Sequence, residues 1–593
     1  MAASSRHRPR LPISKPTQPP DKPAALTGAR KTAAASVPLC RPLFQETGEV
    51  EAEMVEAADA GWWWTWRAVA VAATAACLVL HVAARVADAL WWRPRRLETH
   101  FARQGVRGPP YRFLVGCVRE MVALMAEATA KPMSPAAAHN ALPRVLAFYH
   151  YWRKIYGPTF LIWFGPTPRL TVAEPELVRE IFLTRAEAFD RYEAHPVVRQ
   201  LEGDGLFSLH GDKWAHHRRV LTPGFYPVNL NRLVPHVGRS VAALAERWRA
   251  MACAGGGEVE VDVAEWFQAV AEEAITRATF GRSYDSGRVV FRMQARLMAF
   301  ASEAFRKVLV PGYRFLPTKK NRLSWGLDRE IRRGLVRLIG RRSGDEDDTT
   351  ELKDKDDGFN DLLGLMINAG VNKTMPVDDM VEECKTFFFA GKQTTTNLLT
   401  WATVLLAMHP DWQDRARREV LAVCGDAGEL PTKEHLPKLK KLGMILNETL
   451  RLYPPAVATI RRAKADVTLG DYGDGGLSIP RDTELLVPIM AIHHDARFWG
   501  PDAAQFNPAR FAGGAARAAK HPLAFIPFGL GSRMCIGQNL ALLEAKLTMA
   551  ILLQRFDLEL SPSYVHAPTV LMLLYPQYGA PLIFRPRQSQ PSD

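Results

Sequence analysis

One cysteine near the C-terminus has surroundings that suit metal coordination. The stretch FGLGSRMCIG covers residues 528–537 and places Cys535 two positions after Arg533. The next residues, QNLALLEAKLTMAILLQRF, have the pattern of a helix, so the thiol precedes a helix N-terminus. A helix N-terminus and a nearby cation both lower the pKa of a thiol, and the thiolate is the form that binds metals. We therefore expect a thiolate ligand with a lowered pKa at Cys535.

The neighbours of this cysteine indicate what the metal belongs to. Gly529, Gly531 and Gly537 permit positive φ and a close approach of the backbone to a flat ligand. Backbone N–H groups in such a loop can donate to the sulfur, and Phe528 can shield the sulfur from water. A thiolate ligand to haem iron satisfies all of these features. The alternative is a buried structural cysteine, the usual fate of an isolated one.

The spacing F-x-x-G-x-R-x-C-x-G favours the haem interpretation. Phe528, Gly531, Arg533, Cys535 and Gly537 fill its five fixed positions, as in the haem-thiolate loop of cytochromes P450. The chain resembles that family from about residue 90 to its end. The resemblance implies a mainly α cytochrome P450 fold, a helix-rich haem domain with small peripheral β-sheets behind an N-terminal transmembrane helix. It also implies haem b as cofactor, with Cys535 as the axial ligand of the iron.

Two further motifs resemble structural landmarks of the family. ETLR places Glu448 and Arg451 three residues apart, on one face of a predicted helix, where they can form an ion pair. FNPARF follows at a distance similar to that in the family and supplies Arg510. The resemblance assigns these three side chains to a structural ion-pair triad behind the haem. We expect them to serve folding and haem retention rather than chemistry.

Four side chains resemble the groups that hold the haem propionates. WAHHR contains Trp214 and Arg218, and resembles the helix whose tryptophan and arginine grip a propionate. Arg461, after RLYPPAVATI, and Arg533 are expected to hold propionates too, because a guanidinium pairs bidentately with a carboxylate. For Trp214 and Arg461 the alternative is an ordinary core or surface position.

The stretch FFFAGKQTTTN, residues 387–397, is expected to cover the other face of the haem. Glycine followed by threonines is unfavourable inside an ordinary helix. We expect a local opening at Ala390–Gly391, with unpaired carbonyls and room for dioxygen and water. Thr394 then offers a hydroxyl for proton transfer, as in the A-G-x-(D/E)-T-T pattern of the family. Gln393 replaces the acid, and a carboxamide does not titrate near neutral pH.

This replacement leaves two interpretations of Gln393. As a catalytic residue it orients water or Thr394 rather than acting as a relay acid. In the alternative interpretation, it only packs or forms structural hydrogen bonds.

The chain as a whole is compatible with one large, mostly helical domain. Its 593 residues are 47% hydrophobic, and no linker divides them. Residues 158–174 and 467–492 predict short strands, long helical patterns dominate from 175 to about 455, and the Pro-Gln-Tyr-Gly of residues 576–579 predicts a hairpin turn. The charged stretch at 341–358 is predicted to be a surface loop.

The N-terminal region predicts a membrane anchor. Residues 62–92 form an apolar stretch with tryptophans at both ends, long enough to cross a bilayer. Acidic residues precede it and Arg85, Arg93, Arg95 and Arg96 follow it, so the positive-inside rule places the main domain in the cytosol. The chain is therefore predicted to consist of a disordered extension at 1–60, the anchor and its flanks at 61–92, and the catalytic domain at 93–593. No small-residue cleavage site supports a signal peptide.

The number and spacing of the cysteines, together with the distribution of charge, argue against several classes of protein. The seven cysteines are odd in number and include no C-x-x-C pair, which argues against a disulfide framework or a zinc site and favours a reducing compartment. The net charge of +14 is spread over amphipathic patterns rather than concentrated in blocks. It therefore favours an acidic protein partner or a membrane lipid surface over nucleic acid.

Several longer stretches resemble one group within the family. AGKQTTTNLLTWATVLLAMHPDWQ, HHDARFWGPDAAQFNPARF and IPFGLGSRMCIGQNLALLEAKL are similar to plant P450s that inactivate brassinosteroids by C-26 hydroxylation. The resemblance implies a steroid hormone substrate, O₂, electrons from NADPH–cytochrome P450 reductase, and residence in the endoplasmic reticulum membrane. Substrate contacts are expected around residues 190–212 and 290–316.

Three alternatives remain open. The first is a related hydroxylase of cytokinins, gibberellins or fatty acids. The second is a reductase-independent haem-thiolate lyase or isomerase, against which the intact Thr394 and the uninterrupted loop around Cys535 argue. The third is a haem-binding protein with a sensing or trafficking role, which would need no proton-delivery residues.

Overall fold

The computed structural model describes residues 47–133, 139–192, 196–305, 316–344, 361–372, 374–426, 428–470 and 476–587. It contains two compact units, of which the first ends at Ala83 and the second begins at Ala84. Most of the expected N-terminal extension and the charged stretch from residue 345 onward lie outside the described residues, as do residues 306–315 of the second expected substrate-contacting region.

Helices dominate the described part of the chain, as predicted. They are α1 (Thr47–Ala87), α2 (Arg93–Arg103), α3 (Val118–Thr129), α4 (Leu142–Val145), α5 (Ala147–Tyr156), α6 (Pro175–Arg179), α7 (Pro196–Glu202), α8 (Gly211–Leu221), α9 (Pro227–Leu230), α10 (Val234–Ala254), α11 (Val263–Phe280), α12 (Tyr284–Phe305), α13 (Lys319–Gly344), α14 (Leu362–Val371), α15 (Val377–Met408), α16 (Pro410–Cys424), α17 (Lys440–Leu452), α18 (Ile489–His493), α19 (Ala496–Trp499) and α20 (Gln538–Arg555).

The N-terminal helix has the properties of a membrane span. α1 begins at Thr47 and continues through a π-helical turn, Asp88–Trp92, into α2. Within the described residues one helical stretch, Trp66–Arg103, is long and apolar enough to cross a membrane, and its apolar window is not buried. The predicted span at 62–92 overlaps this stretch. An exposed apolar surface of this length is stable in lipid rather than in water.

In the described part of the chain, twelve short strands form four small sheets. The strands are β1 (Phe160–Phe164), β2 (Thr167–Thr171), β3 (Phe189–Arg191), β4 (Val259–Asp262), β5 (Thr459–Ala463), β6 (Val467–Leu469), β7 (Leu477–Ile479), β8 (Glu484–Val487), β9 (Phe556–Leu560), β10 (Pro568–Val570), β11 (Leu574–Pro576) and β12 (Pro581–Pro586). The largest sheet has the order β1-β2-β8-β5-β3, and a three-stranded sheet has the order β4-β12-β9. The pairs β6–β7 and β10–β11 complete the set.

One predicted hairpin is wrong, although a tight turn is present at its position, with Gly579 at φ 77°. The hairpin expected at residues 576–579 would pair β11 with β12, but β12 lies between β4 and β9 in another sheet. β11 instead pairs antiparallel with β10, so the hairpin lies one segment earlier in the chain. The predicted hairpin of β1 and β2 is present, with Gly165 at φ 61° in its turn.

The long helix α15 lies at the centre of the second unit. It packs against α11, α13, α16, α17 and α20, and most of its side chains are buried. Asp378 and Asp379 lie in its first turn, where negative charge complements the helix dipole. Ala390 is an exception, since it is exposed in the middle of this buried helix. An accessible point on a central helix marks an internal cavity.

Candidate active site

The loop before α20 has the backbone that its glycines predict. Gly529 and Gly531 both have φ of 74°, a conformation that favours glycine. A Cβ on Gly531 would lie 2.1 Å from the carbonyl oxygen of Phe182, so this position also has no space for a side chain. Gly537 differs, with φ of −87° as the residue that precedes α20. A Cβ there would meet the ring of Phe225 at 3.8 Å and Sγ of Cys535 at 4.0 Å, so Gly537 leaves space beside the sulfur.

The thiol of Cys535 lies deep in the fold but faces open space. Its backbone N–H donates to the carbonyl of Phe528 at 2.9 Å, and the backbone N–H groups of Gly537 and Gln538 donate to Sγ. Burial raises its pKa, and this outweighs the lowering by those two N–H groups and by Arg218. The side chain is nevertheless exposed, which places it on the wall of an internal cavity.

Two parts of the thiol prediction are therefore corrected. The pKa of the Cys535 thiol is raised rather than lowered, because desolvation exceeds the effect of the helix start and the cation. The cation facing the sulfur is Arg218, whereas Arg533 donates to the carbonyl of Leu209 at 2.8 Å and lies over the ring of Trp214. A metal cation at the sulfur would instead lower the pKa of this thiol, since a bound metal deprotonates a coordinating thiol.

The predicted propionate-binding side chains converge near this cavity. Trp214 and Arg218 lie on α8 at positions i and i+4, hence on one face. Arg218 forms no ion pair with a carboxylate of the described residues and is half-buried. Arg461, on β5, donates to Thr459 Oγ1 at 3.2 Å and to the carbonyl of Ile460 at 3.1 Å. Burial and the neighbouring Arg533 lower the pKa of Arg461 to about 10.

The structure adds a fourth arginine that the sequence did not indicate. Arg191 on β3 lies directly opposite Arg461 on β5 in antiparallel register. Burial, with a smaller contribution from Arg461 and Arg533, lowers the pKa of its guanidinium to about 9. The sequence gives no signal for Arg191, because its contact with Arg461 depends on the pairing of β3 with β5, two strands that are far apart in the chain. Asp190 and Glu202 are the carboxylates whose charge counters these arginines.

This excess of buried positive charge needs an anionic ligand. Four arginines that share two carboxylates would repel one another in a low dielectric. A flat ligand with two carboxylates, seated on the open space beside Gly537, would neutralise them and bring its metal to the thiol. The residues present therefore fit haem and its two propionates.

The turn of α15 that begins at Ala390 is also accessible. The hydroxyl of Thr394 donates to the carbonyl of Ala390 at 2.6 Å, and both Thr394 and Gln393 are partly exposed. The Gln393 amide donates to Oδ1 of Asn397 at 3.2 Å, one turn further along the helix. Thr394 therefore faces the accessible turn, whereas Gln393 is tied to its own helix.

The expected local opening of this helix is absent. α15 is continuous from Val377 to Met408, and the Ala390 carbonyl accepts the Thr394 hydroxyl instead of remaining unpaired. Gly391 serves a different purpose, because a Cβ there would lie 2.6 Å from Cγ1 of Ile275 on α11. The glycine allows α11 and α15 to approach closely.

Aromatic contacts connect the walls of the cavity. Phe225, the neighbour of Gly537, packs its ring against Phe387 of α15 with centroids 5.9 Å apart. Phe207 lies between Arg191 and Phe389, since the guanidinium stacks on its ring and the Phe389 ring is 6.3 Å away. These ring contacts connect the cysteine loop and the arginine group to α15. Phe528 packs against the hydrophobic core.

The predicted ion-pair triad is present, with Glu448 and Arg451 fully buried and Arg510 mostly so. Arg451 forms a bidentate pair with Glu448, with both N–O distances at 2.7 Å. The same guanidinium donates to the carbonyls of His493, Ala503 and Gln505. Arg510 lies 3.6 Å from Glu448 and pairs with Asp502. This network joins α17 to the segment preceding the cysteine loop, as its expected structural role requires.

A helix-rich fold, a single thiol on a cavity wall and arginines placed for two carboxylates define the class of haem-thiolate proteins. A family model, "Cytochrome P450", matches residues 143–581. The chain is 91% identical over 536 residues to "Cytochrome P450 734A4" of Oryza sativa subsp. japonica, covering 89% of this chain and 99% of that protein. It is 60% identical over 496 residues to "Cytochrome P450 734A1" of Arabidopsis thaliana, covering 84% and 93%. The chain belongs to the cytochrome P450 family.

Family membership establishes the general chemistry. The protein is a monooxygenase whose cofactor is a haem with a cysteine thiolate as axial ligand. Enzymes of this family normally use O₂ and a redox partner reductase. The apolar N-terminal helix fits a membrane-anchored member.

Proposed function

We propose that this enzyme hydroxylates a brassinosteroid at C-26 and thereby inactivates the hormone. The observation that supports the oxygenase assignment is the accessible Cys535 thiol, whose loop is connected through Phe225 and Phe387 to α15, the helix that carries the accessible Ala390–Thr394 turn. The assignment of a brassinosteroid as the substrate is supported by the three long stretches of sequence that resemble brassinosteroid-inactivating P450s. The high identity to relatives that share the designation 734A supports the same group.

We propose a role for each residue around the cavity. Cys535 would bind the haem iron through its sulfur, and the N–H groups of Gly537 and Gln538, which donate to that sulfur, would limit its negative charge. When bound, the haem supplies activation of O₂ with electrons from NADPH–cytochrome P450 reductase. The propionates are held by the four predicted side chains together with Arg191; the four are Trp214, Arg218, Arg461 and Arg533. Phe528 keeps water from the sulfur.

We propose that Thr394 transfers a proton directly, whereas Gln393 only positions other groups for that transfer. Thr394 holds a proton at Oγ1 on the accessible turn and can pass it into the cavity by rotating away from the Ala390 carbonyl. Gln393 acts as a positioning residue, because its amide is engaged by Asn397 and cannot titrate. Water that enters at the exposed Ala390 turn resupplies the proton.

The substrate assignment is tested by binding and turnover. The purified holoenzyme is expected to shift its Soret band with castasterone and, with reductase and NADPH, to form a product hydroxylated at the end of the steroid side chain. The same titration with a cytokinin, a gibberellin and a fatty acid serves as the control. A Soret shift with one of these and none with a brassinosteroid would move the assignment to that class. Turnover of a peroxide without NADPH would support a lyase or isomerase.

We further propose that the enzyme is a single-pass protein of the endoplasmic reticulum membrane. Residues 61–92 would form the anchor and its flanks, residues 93–593 the cytosolic catalytic domain, and residues 1–60 a lumenal extension. Deletion of residues 1–92 is expected to remove alkali-resistant membrane association while a weaker, salt-sensitive association with membrane lipid remains. Engineered glycosylation sites should be modified at the N-terminus and not at the C-terminus; the reverse pattern would contradict this topology.

A further inference from the structure

Two fully buried aromatic side chains form a parallel stack at the central helix. Trp401 lies on α15 and Tyr453 directly follows α17, and neither side chain is exposed. Their ring centroids are 4.3 Å apart and the ring planes are inclined by 7°. At this distance the two π systems are in contact, so an electron can pass from one ring to the other. Tryptophan and tyrosine are also the aromatic side chains that lose an electron most readily.

The hydroxyl of Tyr453 lies between two imidazoles. Its oxygen is 2.9 Å from Nδ1 of His139 and 3.1 Å from Nε2 of His566. On one side, Nε2 of His139 is 2.9 Å from Nε2 of His409. On the other side, Nδ1 of His566 is 2.8 Å from the hydroxyl of Tyr564. In this chain of neutral groups, the Tyr453 hydroxyl donates to one histidine and accepts from the other.

Both histidines are held in the form that accepts a proton. Burial is the main cause that lowers the pKa of His139 to about 3 and that of His566 to about 4. Burial also raises the pKa of Tyr453 well above its ordinary value, so the phenol keeps its proton at neutral pH. A phenol that loses an electron becomes strongly acidic, and a neutral imidazole then takes its proton. His409 is partly exposed, so this proton has a route to solvent.

Trp401 lacks the proton acceptor that Tyr453 has. Its indole Nε1 is sealed from solvent and has no hydrogen-bond partner among the described residues. An indole that loses an electron in this position keeps its proton and becomes a buried cation, which a low dielectric disfavours. Tyr453 instead loses its electron and its proton together and becomes a neutral radical. An oxidation that begins at Trp401 therefore ends at Tyr453.

The stack is connected to the residues that we assign to the haem site. Trp401 follows Thr394 by seven residues, nearly two turns and about 10 Å along the axis of α15, so both side chains lie on one face of the helix. α15 also packs against α20, which begins three residues after Cys535. The same central helix thus carries the proposed proton-transfer residue and the first ring of the stack.

We propose that Trp401 and Tyr453 form an electron-transfer path that reduces the oxidised haem when no substrate is present, with Tyr453 as the site of the resulting radical. The established activity supplies the oxidant, because haem that has reacted with O₂ or peroxide lacks the electrons that a substrate normally gives. Trp401 gives one electron to the haem, Tyr453 gives one electron to Trp401, and the phenolic proton passes to a histidine. A reductant of the ascorbate class then returns one electron and one proton to Tyr453. The path protects the enzyme from its own oxidant and does not depend on the identity of the substrate.

The test follows the radical in the purified holoenzyme without substrate. Hydrogen peroxide is added, samples are frozen at intervals, and their electron paramagnetic resonance spectra are recorded. The wild type is expected to give a tyrosyl radical. Tyr453→Phe should lose most of this signal because it has no phenolic proton to release, and Trp401→Phe should lose most of it because the path begins at Trp401. Loss of the Soret band in the same samples should be several-fold faster in both variants.

Two matched controls are available in the core. Tyr149 is fully buried and its hydroxyl has no hydrogen-bond partner among the described residues. Trp248 is also fully buried with an unpartnered indole Nε1, but its described ring contacts are with Trp266 and phenylalanines rather than with a tyrosine. Tyr149→Phe and Trp248→Phe should therefore keep the radical yield and the Soret stability of the wild type.

The outcomes decide the proposal in each case. The ferrous carbon monoxide spectrum shows which variants hold haem on a thiolate. Absence of a tyrosyl radical in the wild type, or an unchanged radical in Tyr453→Phe, would overturn the proposal. If Tyr453→Phe does not hold haem, Trp401→Phe decides, since a full radical yield in that variant would overturn the path. Equally fast loss of the Soret band in the control variants would overturn the protective role.

Discussion

Replacing Cys535 with alanine is expected to abolish the ferrous carbon monoxide band that is diagnostic of thiolate ligation, and to abolish turnover. The Cys535 thiol receives two backbone N–H groups and faces the guanidinium of Arg218, a setting that suits a thiolate ligand. No other described cysteine lies in the loop that precedes α20: Cys117, Cys384 and Cys424 are buried elsewhere in the fold, and Cys77 and Cys253 lie on α1 and α10. The reduced carbon monoxide difference spectrum and NADPH-dependent product formation are the measurements.

A matched control uses the exposed Cys253 on α10, away from the cavity loop. Cys253→Ala should keep the spectrum and the turnover of the wild type. Cys535→Ser is a second test variant. It places an oxygen ligand in the same position, so we expect it to retain haem but to lose the ferrous carbon monoxide band of a thiolate ligand. Retention of the thiolate band and of turnover in Cys535→Ala would show that the axial ligand lies elsewhere.

Replacing Thr394 with alanine is expected to divert most of the reducing equivalents to hydrogen peroxide instead of product. The variant loses the hydroxyl that holds a proton on the accessible turn of α15, and protonation by a positioned group typically contributes about 10²- to 10⁴-fold. NADPH consumption should continue, since haem reduction does not need this hydroxyl. Peroxide and product formed per NADPH are to be measured on the same samples.

The control for Thr394 is a second threonine with the same local bond. Thr396 donates to the carbonyl of Lys392 at 2.9 Å, four residues earlier, but its side chain is buried away from the cavity. Thr396→Ala should therefore leave coupling unchanged. Unchanged coupling in Thr394→Ala would contradict the proton transfer that we propose through this turn.

Variants of Gln393 decide between its two interpretations. Gln393→Glu should change rate and coupling only modestly, because the group contacts Asn397 rather than Thr394. A change in coupling in Gln393→Ala would support positioning of water or Thr394. A silent Gln393→Ala would leave it a purely structural residue.

Local motifs were predictable from the sequence. The positive φ values of Gly529 and Gly531 follow from tight turns that few other residues can adopt. The pair of Glu448 and Arg451 follows from their three-residue spacing on one helix, which brings the two side chains together in any fold. The β1–β2 hairpin likewise depends on neighbouring residues alone.

The sequence by itself therefore determined local geometry in this protein: the cysteine loop, the bidentate ion pair and the β1–β2 hairpin. The tertiary structure alone decided which groups meet across the chain and how deeply they are buried. It brought Arg218, rather than Arg533, to the thiol, and it set Arg191 opposite Arg461 through strand pairing. It also raised the pKa of Cys535, because desolvation depends on everything packed around a group and not on its sequence neighbours.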